Sequence, residues 1–360
     1  MPNSFISDDY AFMRRALQLA ALGRGRVSPN PMVGCVIAHE GRVIGEGWHR
    51  KYGDWHAEVN AVSEAIAKGH EALLCQSTVY VTLEPCSHFG KTPPCADLLV
   101  KHRVQKVIIC NHDPNPLVAG KGIQKLREAG IEVETGLLEA EGRRLNARFF
   151  TFMEHRRPYI ILKWAETADG FVGDEHKRPL AISSLPSRVL SHRWRTEEDA
   201  ILVGTTTAQN DNPQLNARLW AGRSPVRIVL DRTLRLSPSL HLFDNTQQTL
   251  CYNTLKNEEN GQTTFVQLDF DDFFLVNLLQ DLHGRKIQSL IVEGGGEVLQ
   301  SFLNQGLYDE IRVFKSPHCV GKGTAAPRLT QGSNPPPQEK NGEDWLYITY
   351  ISKPLVGFGS

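Results

Sequence analysis

The order of apolar and polar positions in the N-terminal part of the chain predicts helices and strands that follow one another in turn. An apolar stripe with helical spacing follows Ser7-Asp8-Asp9, which supply a cap and acidic first-turn residues, and it predicts a helix through Leu22. Further helices are predicted at His56–Lys68, Cys95–His102, Ile123–Ala129 and Leu137–Phe152, and strands at Met32–Ala38, after Gly41, and at Thr78–Leu83, Val104–Cys110 and Ile131–Glu134. This alternation predicts an α/β domain whose mainly parallel sheet is covered on both faces.

A second pattern of the same kind begins after the turn-forming segment His155-Arg156-Arg157-Pro158. Strands are predicted at Tyr159–Trp164, Ala200–Gly204, Val226–Leu230 and Ile287–Val292, helices at Pro186–Arg195 and Glu297–Leu303, and polar surface loops at Asn253–Thr263 and Leu329–Asp344. Domains of about 150 residues make two of them the expectation for 360 residues. We therefore predict one α/β domain over residues 1–148 and a second over residues 149–360.

Composition and charge narrow the class of protein. Hydrophobic residues make up 41% and charged residues 22% of the chain, which is ordinary for a folded protein. Lys and Arg number 40 and Asp and Glu also 40, so no net charge attracts nucleic acid or an anionic membrane surface. No apolar run approaches the ~20 residues of a membrane helix. Seven cysteines without a disulfide framework fit a reducing compartment, so we expect a cytoplasmic enzyme without nucleic-acid or membrane partners.

Three residues have the composition of a catalytic zinc site. His56 stands at the start of a predicted helix, Cys86 follows a predicted strand, and Cys95 comes nine residues later. One imidazole and two thiolates suit zinc and leave its fourth position for water, whose pKa the metal lowers to near neutral to give a hydroxide nucleophile. Glu58, two residues after His56, can carry the proton to a leaving amine, as in zinc deaminases of nucleobases. The alternative is that Cys86 and Cys95 are buried free thiols and that His56 is only the first residue of a helix. The other cysteines are expected in the core, namely Cys35, Cys75, Cys110, Cys251 and Cys319.

Longer motifs surround these residues. They are Ser28-Pro29-Asn30-Pro31-Met32-Val33-Gly34, the segment from His49 through His56-Ala57-Glu58, Thr82-Leu83-Glu84-Pro85-Cys86 through Cys95, and Asp113-Pro114-Asn115-Pro116 through Gly122. With them the chain resembles the bacterial bifunctional riboflavin-biosynthesis deaminase/reductase family, whose N-terminal half has the cytidine-deaminase-like fold. The resemblance implies that a pyrimidine carrying ribose 5-phosphate is held by Asn30, His49, His88, Lys91, Asp113 and Asn115. For Asn30 and Asn115, each flanked by prolines, simple turn formation is the alternative.

The second half carries a glycine loop between a strand and a helix. Glu293-Gly294-Gly295-Gly296 joins the strand Ile287–Val292 to the helix Glu297–Leu303, an arrangement whose free backbone N–H groups favour an anion. It is not the G-x-G-x-x-G of a Rossmann domain, and a tight turn without a ligand is the alternative.

The resemblance extends to this half and implies the dihydrofolate-reductase-like fold of the family's reductase. It implies that NADPH is held by Ala165, Thr207, Asp211, Gly295, Gly296, Glu297, Val298, Leu299, Gln300 and Ser301, and that Arg195, Leu215, Arg218 and Glu293 line the substrate. The arginines suit phosphate because a guanidinium binds it bidentately. For Arg195 the alternative is a solvated helix end beside Glu197 and Glu198.

One segment departs from the family's pattern. The family usually places a Ser and then a Trp where this chain has Pro179 and Ala181. Ala181 lacks the ring surface that a Trp would offer to the nicotinamide end of the cofactor.

The resemblance implies two activities and two cofactors, Zn²⁺ and NADPH. The first is zinc-hydroxide deamination of 2,5-diamino-6-(5-phosphoribosylamino)pyrimidin-4(3H)-one. The second is reduction of the ribosyl group to ribityl, giving 5-amino-6-(5-phosphoribitylamino)uracil. We also expect a homo-oligomer.

A nucleic-acid base deaminase with an unrelated C-terminal domain is one alternative function; it predicts a basic face with stacking aromatic residues. A non-catalytic zinc-stabilised binding module is the other, and it predicts a fourth protein ligand.

Overall fold

The computed structural model describes residues 7–87, 93–116, 118–176, 180–329 and 339–351. The chain divides into two compact units between Glu154 and His155. The predicted boundary at 148/149 lies six residues earlier, inside the helix that ends at His155. No helix in the described ranges is long and apolar enough to cross a membrane.

The first unit is a five-stranded sheet with helices on both faces, as predicted. Its helices are α1 (Ser7–Ala21), α2 (Ala57–Ala67), α3 (Cys95–Lys101), α4 (Lys121–Glu128), α5 (Glu139–Leu145) and α6 (Ala147–His155). Its strands are β1 (Gly34–His39), β2 (Arg42–Trp48), β3 (Thr78–Leu83), β4 (Lys106–Asn111) and β5 (Glu132–Thr135), in the order β2-β1-β3-β4-β5. One apolar cluster packs α2, α3 and α4 on one face, and a second packs α1 on the other.

The prediction of a mainly parallel sheet was wrong for this unit, because β1 pairs antiparallel with both of its neighbours. The link from β1 to β2 is only Glu40-Gly41, with φ of 47° and 74°. Two successive residues with positive φ form a tight hairpin turn, and such a turn joins only antiparallel strands. The pairs β3–β4 and β4–β5, which are joined through helices, are parallel as expected.

The long helix predicted over Leu137–Phe152 is two helices, α5 and α6, with Asn146 between them. Asn146 is buried, and its side chain accepts a hydrogen bond from the Met32 N–H and donates one to the Met32 carbonyl, both 2.8 Å long. A side chain that bonds both backbone groups of one residue fixes that segment to the break between the helices.

The first turn of α2 lies directly against the backbone of β2. A Cβ added to Gly47 would stand 2.3 Å from the Ala57 carbonyl oxygen, closer than real Cβ atoms come. Asn60, one turn further along α2, donates to the Trp48 carbonyl at 2.8 Å. These contacts fix the start of α2 on the hairpin β1–β2.

The second unit is built on a ten-stranded sheet. Its strands, with the separate pair β7–β15, are β6 (Tyr159–Glu166), β7 (Phe171–Asp174), β8 (Ala200–Gly204), β9 (Val226–Leu230), β10 (Thr249–Asn253), β11 (Glu258–Asn260), β12 (Thr263–Gln267), β13 (Ser289–Val292), β14 (Glu310–Lys315), β15 (Gly323–Ala325), β16 (Glu339–Asn341) and β17 (Asp344–Tyr350). Its helices are α7 (Leu185–Glu197), α8 (Thr205–Asp211), α9 (Phe274–Gly284) and α10 (Gly296–Asn304). The sheet order is β11-β12-β10-β9-β8-β13-β6-β14-β17-β16, parallel from β12 to β14.

Three predictions of exposed or buried positions need correction. Asn253–Thr263, predicted as a surface loop, contains β11, and both of its end residues are buried within strands. The predicted loop Leu329–Asp344 contains β16 and the first residue of β17, and its residues 330–338 lie outside the described ranges. Cys75 and Cys319, expected in the core, are exposed.

Candidate active sites

The three residues predicted to bind zinc converge at one end of the first sheet. His56 is the N-cap of α2, Cys86 follows β3, and Cys95 opens α3. His56 Nδ1 lies 3.6 Å from Cys86 Sγ and 3.3 Å from Cys95 Sγ, and all three ligand atoms are within 4.8 Å of one another. Among the described residues no fourth His, Cys, Asp or Glu joins this group. Two sulfurs and one imidazole nitrogen are a donor set that fits zinc and leaves one tetrahedral position open.

The thiols of this group differ in acidity. Hydrogen bonds from Cys95 and then from His56 lower the pKa of Cys86 to about 4, although its burial opposes this. The hydrogen bond to Cys86 raises the pKa of His56, and the hydrogen bond with Cys86 together with burial raises the pKa of Cys95. Cys86 is therefore the more acidic of the two thiols, and zinc binding requires both of them as thiolates.

Glu58 lies in the first turn of α2 and is only 3% exposed. Burial is the main cause that raises the pKa of its carboxyl group, and the nearby charge of Cys86 adds to it. A hydrogen bond with the Cys95 side chain opposes this and acts to lower the pKa of Glu58. Burial thus favours the protonated form of this carboxyl group more than water does, and gain and loss of a proton at one carboxyl group is what general acid–base catalysis requires.

His49 and Asn30 form a hydrogen-bonded pair beside the metal ligands. The His49 ring is 2% exposed, and its centroid lies 5.4 Å from that of His56. His49 Nδ1 is 3.1 Å from the Trp55 carbonyl oxygen, and Nε2 is 3.2 Å from Asn30 Nδ2. A carbonyl oxygen only accepts, so Nδ1 carries the proton and Nε2 accepts from Asn30. Burial lowers the pKa of His49, which keeps this ring neutral.

Asp113 and Asn115 lie in the loop after β4. Asp113 Oδ1 accepts from the Asn115 N–H at 2.8 Å, and the Asn115 carbonyl accepts from Val118 N–H at 2.8 Å. These bonds give Asn115 the role in turn formation that was its alternative. Because β3 and β4 are parallel neighbours, this loop begins next to the segment that follows β3. His88, Lys91 and Pro179 lie outside the described ranges.

The glycine loop of the second unit lies at the carboxyl ends of parallel strands. Glu293–Gly295 follows β13, and α8 with Thr207 follows the adjacent strand β8. A Cβ on Gly294 would stand 2.9 Å from Thr207 Cγ2, and Gly295, the N-cap of α10, has φ of 75°. The loop therefore favours glycine at Gly294 because the Thr207 side chain occupies the place of a Cβ, and at Gly295 because of its positive φ. This cradle fits a phosphate group of NADPH at a helix N-terminus.

The remaining residues predicted to bind NADPH are distributed around this loop. Val298 packs on the loop side of α10, within 3.6 Å of the position of a Cβ on Gly295. Leu299 points into the core, so it can meet a ligand only through its backbone. The others are Ala165 near the carboxyl end of β6, Asp211 at the exposed end of α8, Gly296 and Glu297 in the first turn of α10, Gln300 bonded to Arg328, and Ser301 bonded to the Glu297 carbonyl.

Two of the four residues predicted for the reductase substrate, Arg195 and Arg218, bond Asn216, and a third, Glu293, pairs with Arg195. Arg195 Nη2 lies 2.6 Å from Glu293 Oε2, and Nη1 donates to the Asn216 carbonyl at 3.1 Å. Arg218 is exposed and donates to Asn216 Oδ1 at 3.0 Å. Burial would raise the pKa of Glu293, but Arg195 and then Lys163 outweigh it and lower the pKa to about 2. Leu215, one residue before Asn216, is buried and has φ of 51°. The solvated helix end considered for Arg195 is wrong, because its side chain is 13% exposed.

Sequence reasoning missed two basic residues of this cluster. Burial is the main cause that lowers the pKa of Lys163, and Glu293 opposes it. His192 is 5% exposed, and burial with the charges of Arg195 and Arg218 lowers its pKa to about 4. The signals were a lysine inside the apolar strand Tyr159–Trp164 and a histidine three residues before Arg195, on the same helix face.

Comparisons with known proteins match both halves of the chain. The family model for the cytidine and deoxycytidylate deaminase zinc-binding region matches residues 6–111, and the model for the RibD C-terminal domain matches residues 158–341. The chain is 41% identical over 320 residues to riboflavin biosynthesis protein RibD of Aquifex aeolicus, covering 88% of each chain. It is 36% identical to RibD of Escherichia coli over 334 residues, covering 88% of this chain and 89% of the other.

A solved structure resembles the chain over nearly its whole length. It is a diaminohydroxyphosphoribosylaminopyrimidine deaminase/5-amino-6-(5-phosphoribosylamino)uracil reductase from Thermotoga maritima, with a TM-score of 0.84 and 37% identity. The match covers 95% of this chain and 98% of that one. The predicted fold, a deaminase-like domain followed by a reductase domain, is confirmed.

Proposed function

The chain belongs to the RibD family of riboflavin-biosynthesis deaminase/reductases, and from this premise we propose its substrates and the roles of its residues. The first unit deaminates 2,5-diamino-6-(5-phosphoribosylamino)pyrimidin-4(3H)-one. The second reduces the ribosyl group of the product to ribityl, giving 5-amino-6-(5-phosphoribitylamino)uracil. The observation that carries the proposal is the convergence of His56, Cys86 and Cys95 near the buried Glu58.

In the first unit His56, Cys86 and Cys95 hold zinc. Zinc, when bound, supplies Lewis-acid activation of the attacking water. The Glu58 carboxylate carries both protons of that water in turn, the first to the ring nitrogen and the second to the departing amine, so that water is consumed and ammonia released. The raised pKa of Glu58 supports this role, because burial makes its carboxylate a better proton acceptor than a solvated carboxylate.

His49 orients the substrate through Asn30. Because neutral His49 accepts a hydrogen bond from Asn30 Nδ2, the carboxamide of Asn30 is held with Oδ1 as its acceptor for an amino group of the pyrimidine. Asp113 and Asn115 supply further polar contacts from the loop after β4. His88 and Lys91 keep the roles in substrate binding that the resemblance implies.

In the second unit the backbone of Gly294–Gly296 and the first turns of α10 hold NADPH, with Thr207 against the loop. NADPH, when bound, supplies the hydride. Arg195 is already engaged by Glu293 and by the Asn216 carbonyl, so its role is to fix these groups around the substrate. Arg218 is exposed and bonded to the Asn216 side chain at one of its nitrogens, so we assign its guanidinium to the substrate phosphate.

The substrate class, cellular location and oligomeric state of the enzyme are further parts of the proposal. We propose that it works on a small phosphoribosyl pyrimidine and not on nucleic acid, which the zero net charge supports. A cytoplasmic location is supported by the two zinc thiols, which must stay reduced. A homo-oligomer is supported by Trp345, whose large aromatic side chain is exposed on β17.

The test measures ammonia release and NADPH oxidation separately on the purified chain, together with its zinc content. We expect about one zinc per chain and both activities. Ammonia release from zinc-free protein at the full rate would refute the deaminase assignment. Light scattering gives the oligomeric state in the same preparation.

A further inference from the structure

Glu84 is a buried carboxylate that the proposed chemistry does not use. It lies between the last residue of β3 and the Pro85-Cys86 segment, and its side chain is 0% exposed. Oε1 accepts hydrogen bonds from the Gly122 and Ile123 N–H groups at 3.0 and 3.4 Å. Oε2 accepts from the Gly120 and Asp113 N–H groups at 3.0 and 3.4 Å. One side chain thus receives four backbone donors from the segment that follows β4.

A carboxylate is retained in such a place only when its hydrogen bonds repay the loss of water. Three of the donors belong to the first turn of α4 or its N-cap, where backbone N–H groups have no partner within the helix. The N-cap residue, Gly120, has no side chain to bond them. Glu84 therefore caps α4 from a different strand, and its negative charge suits the positive end of the helix dipole.

The fourth donor connects Glu84 to the loop predicted to bind the substrate. The N–H of Asp113 bonds Glu84, and the Asp113 carboxylate accepts from the N–H of Asn115. The start of α4 also lies directly against the segment that follows β3, since a Cβ on Gly122 would lie 2.0 Å from the Pro85 carbonyl oxygen. The backbone around Cys86 and the loop of Asp113 and Asn115 are thus held together by one carboxylate and one backbone contact.

We propose that Glu84 is a positioning residue of the deaminase, which sets the places of Asp113 and Asn115 relative to the metal-binding segment and so determines how tightly the pyrimidine substrate is held. This proposal rests on the proposed function. The hydrogen bonds of Glu84 come from backbone N–H groups, and its Oε2 also lies 3.9 Å from Nδ1 of the exposed His112. The effect of Glu84 passes through the backbone of the loop.

Glu84→Gln is the first test. The amide keeps the size of the side chain, but its NH₂ group faces N–H donors in either orientation, so about half of the hydrogen bonds are lost. We expect the KM for ammonia release to rise about tenfold, while kcat changes less than threefold, because uniform binding is lost and the proton carrier is untouched. Zinc content and NADPH oxidation with deaminated substrate should equal those of the wild type. Glu128→Gln, on the exposed side of α4, is the matched control and should leave KM unchanged.

Glu84→Asp is the second variant and keeps the charge while shortening the side chain. It should give an intermediate KM, and it decides the question if Glu84→Gln does not fold. A double-mutant cycle with Asn115→Ala adds a readout that a general loss of stability would not give. If Glu84 acts through the loop, Glu84→Gln should raise KM much less in the Asn115→Ala background than in the wild type.

Three results would overturn the positioning role: a KM within twofold of the wild type in the folded Glu84 variants, effects of the two substitutions on KM that simply multiply, or loss of zinc on Glu84→Gln. The last result would make Glu84 a support of the metal-binding segment instead. The wild type in the same assay separates the two hypotheses. Its failure to release ammonia would refute the proposed function, whereas an active wild type with unaffected Glu84 variants refutes only the positioning role.

Discussion

The two candidate sites are built in different ways. In the first unit the chemistry resides in side-chain atoms of His56, Cys86 and Cys95, placed by two helix starts and a strand end. In the second unit the predicted cofactor site is mainly backbone, shaped by the absence of side chains at Gly294 and Gly295. The first site therefore depends on the identity of a few atoms, and the second depends on shape. Substitutions should separate the two sites cleanly.

The largest effect is expected from Cys86→Ser. A neutral hydroxyl is a far poorer zinc ligand than a thiolate, so zinc content and ammonia release should both be abolished. NADPH oxidation with deaminated substrate should persist, because that site contains no zinc ligand. Metal analysis and the two activity assays measure this. Cys75→Ser, at an exposed cysteine of the same unit, should behave as the wild type.

Glu58→Gln should give the next largest effect and distinguish metal binding from proton transfer. Gln is almost isosteric, so fold and zinc should be retained, while ammonia release falls by ~10²–10⁴-fold with loss of the proton carrier. NADPH oxidation should be unchanged. Reduced zinc content would instead make Glu58 a ligand, and a fall of less than about tenfold would contradict the catalytic role. Glu71→Gln serves as the exposed control in this unit.

Gly295→Val tests whether the second site depends on shape. A branched side chain disfavours the φ of 75° and fills the space left for a phosphate, so the Kd for NADPH should rise about tenfold or more while ammonia release stays intact. Gly284→Val is the control, since a Cβ there meets no atom within 4 Å. Equal NADPH affinity in folded Gly295→Val, measured by fluorescence titration, would remove the glycine loop from the cofactor site.

Glu293→Gln should have a smaller effect, one of stability, that depends on pH. The charges of Arg195 and Lys163 hold the pKa of Glu293 at about 2 against burial, below its usual value near 4.3. A depressed carboxyl pKa contributes stability above the unfolded pKa, and this contribution is lost as pH falls toward 2. The variant should be less stable at pH 7 by about 1–3 kcal/mol, and the difference should shrink between pH 5 and pH 2. Denaturant unfolding of the variant and the wild type at pH 7, pH 5 and pH 2 checks this. A difference in the free energy of unfolding that stays constant over this range would contradict it.

The sequence predicted three buried strands to the residue. Thr78–Leu83, Ala200–Gly204 and Val226–Leu230 begin and end where they were predicted, because each is rich in β-branched and apolar residues and has polar or turn-forming neighbours. The equally buried β10 and β14 were not predicted. The break at Asn146 was missed because its cause is a long-range bond to Met32, which no local pattern contains. The edge strands β11 and β16 were missed because their polar residues resemble those of a loop.

The residues of the candidate sites also differ in whether the sequence predicts them. His56, Cys86 and Cys95 were predictable because zinc requires particular atoms, and few residue types supply them. Glu84 and His192 acquire their surroundings only from the packing of segments distant in sequence. A carboxylate that bonds four backbone N–H groups looks in the sequence like any other acidic residue.

The contact of Gly47 with the first turn of α2 limits how this protein can diversify. The contact between Gly47 and the Ala57 carbonyl would need to open by about 1 Å before even a methyl group could fit. That shift would carry Glu58 and His56 with it, although Gly47 belongs to neither set of site residues. In a library selected for ammonia release, Gly47 would therefore be as intolerant of substitution as a zinc ligand.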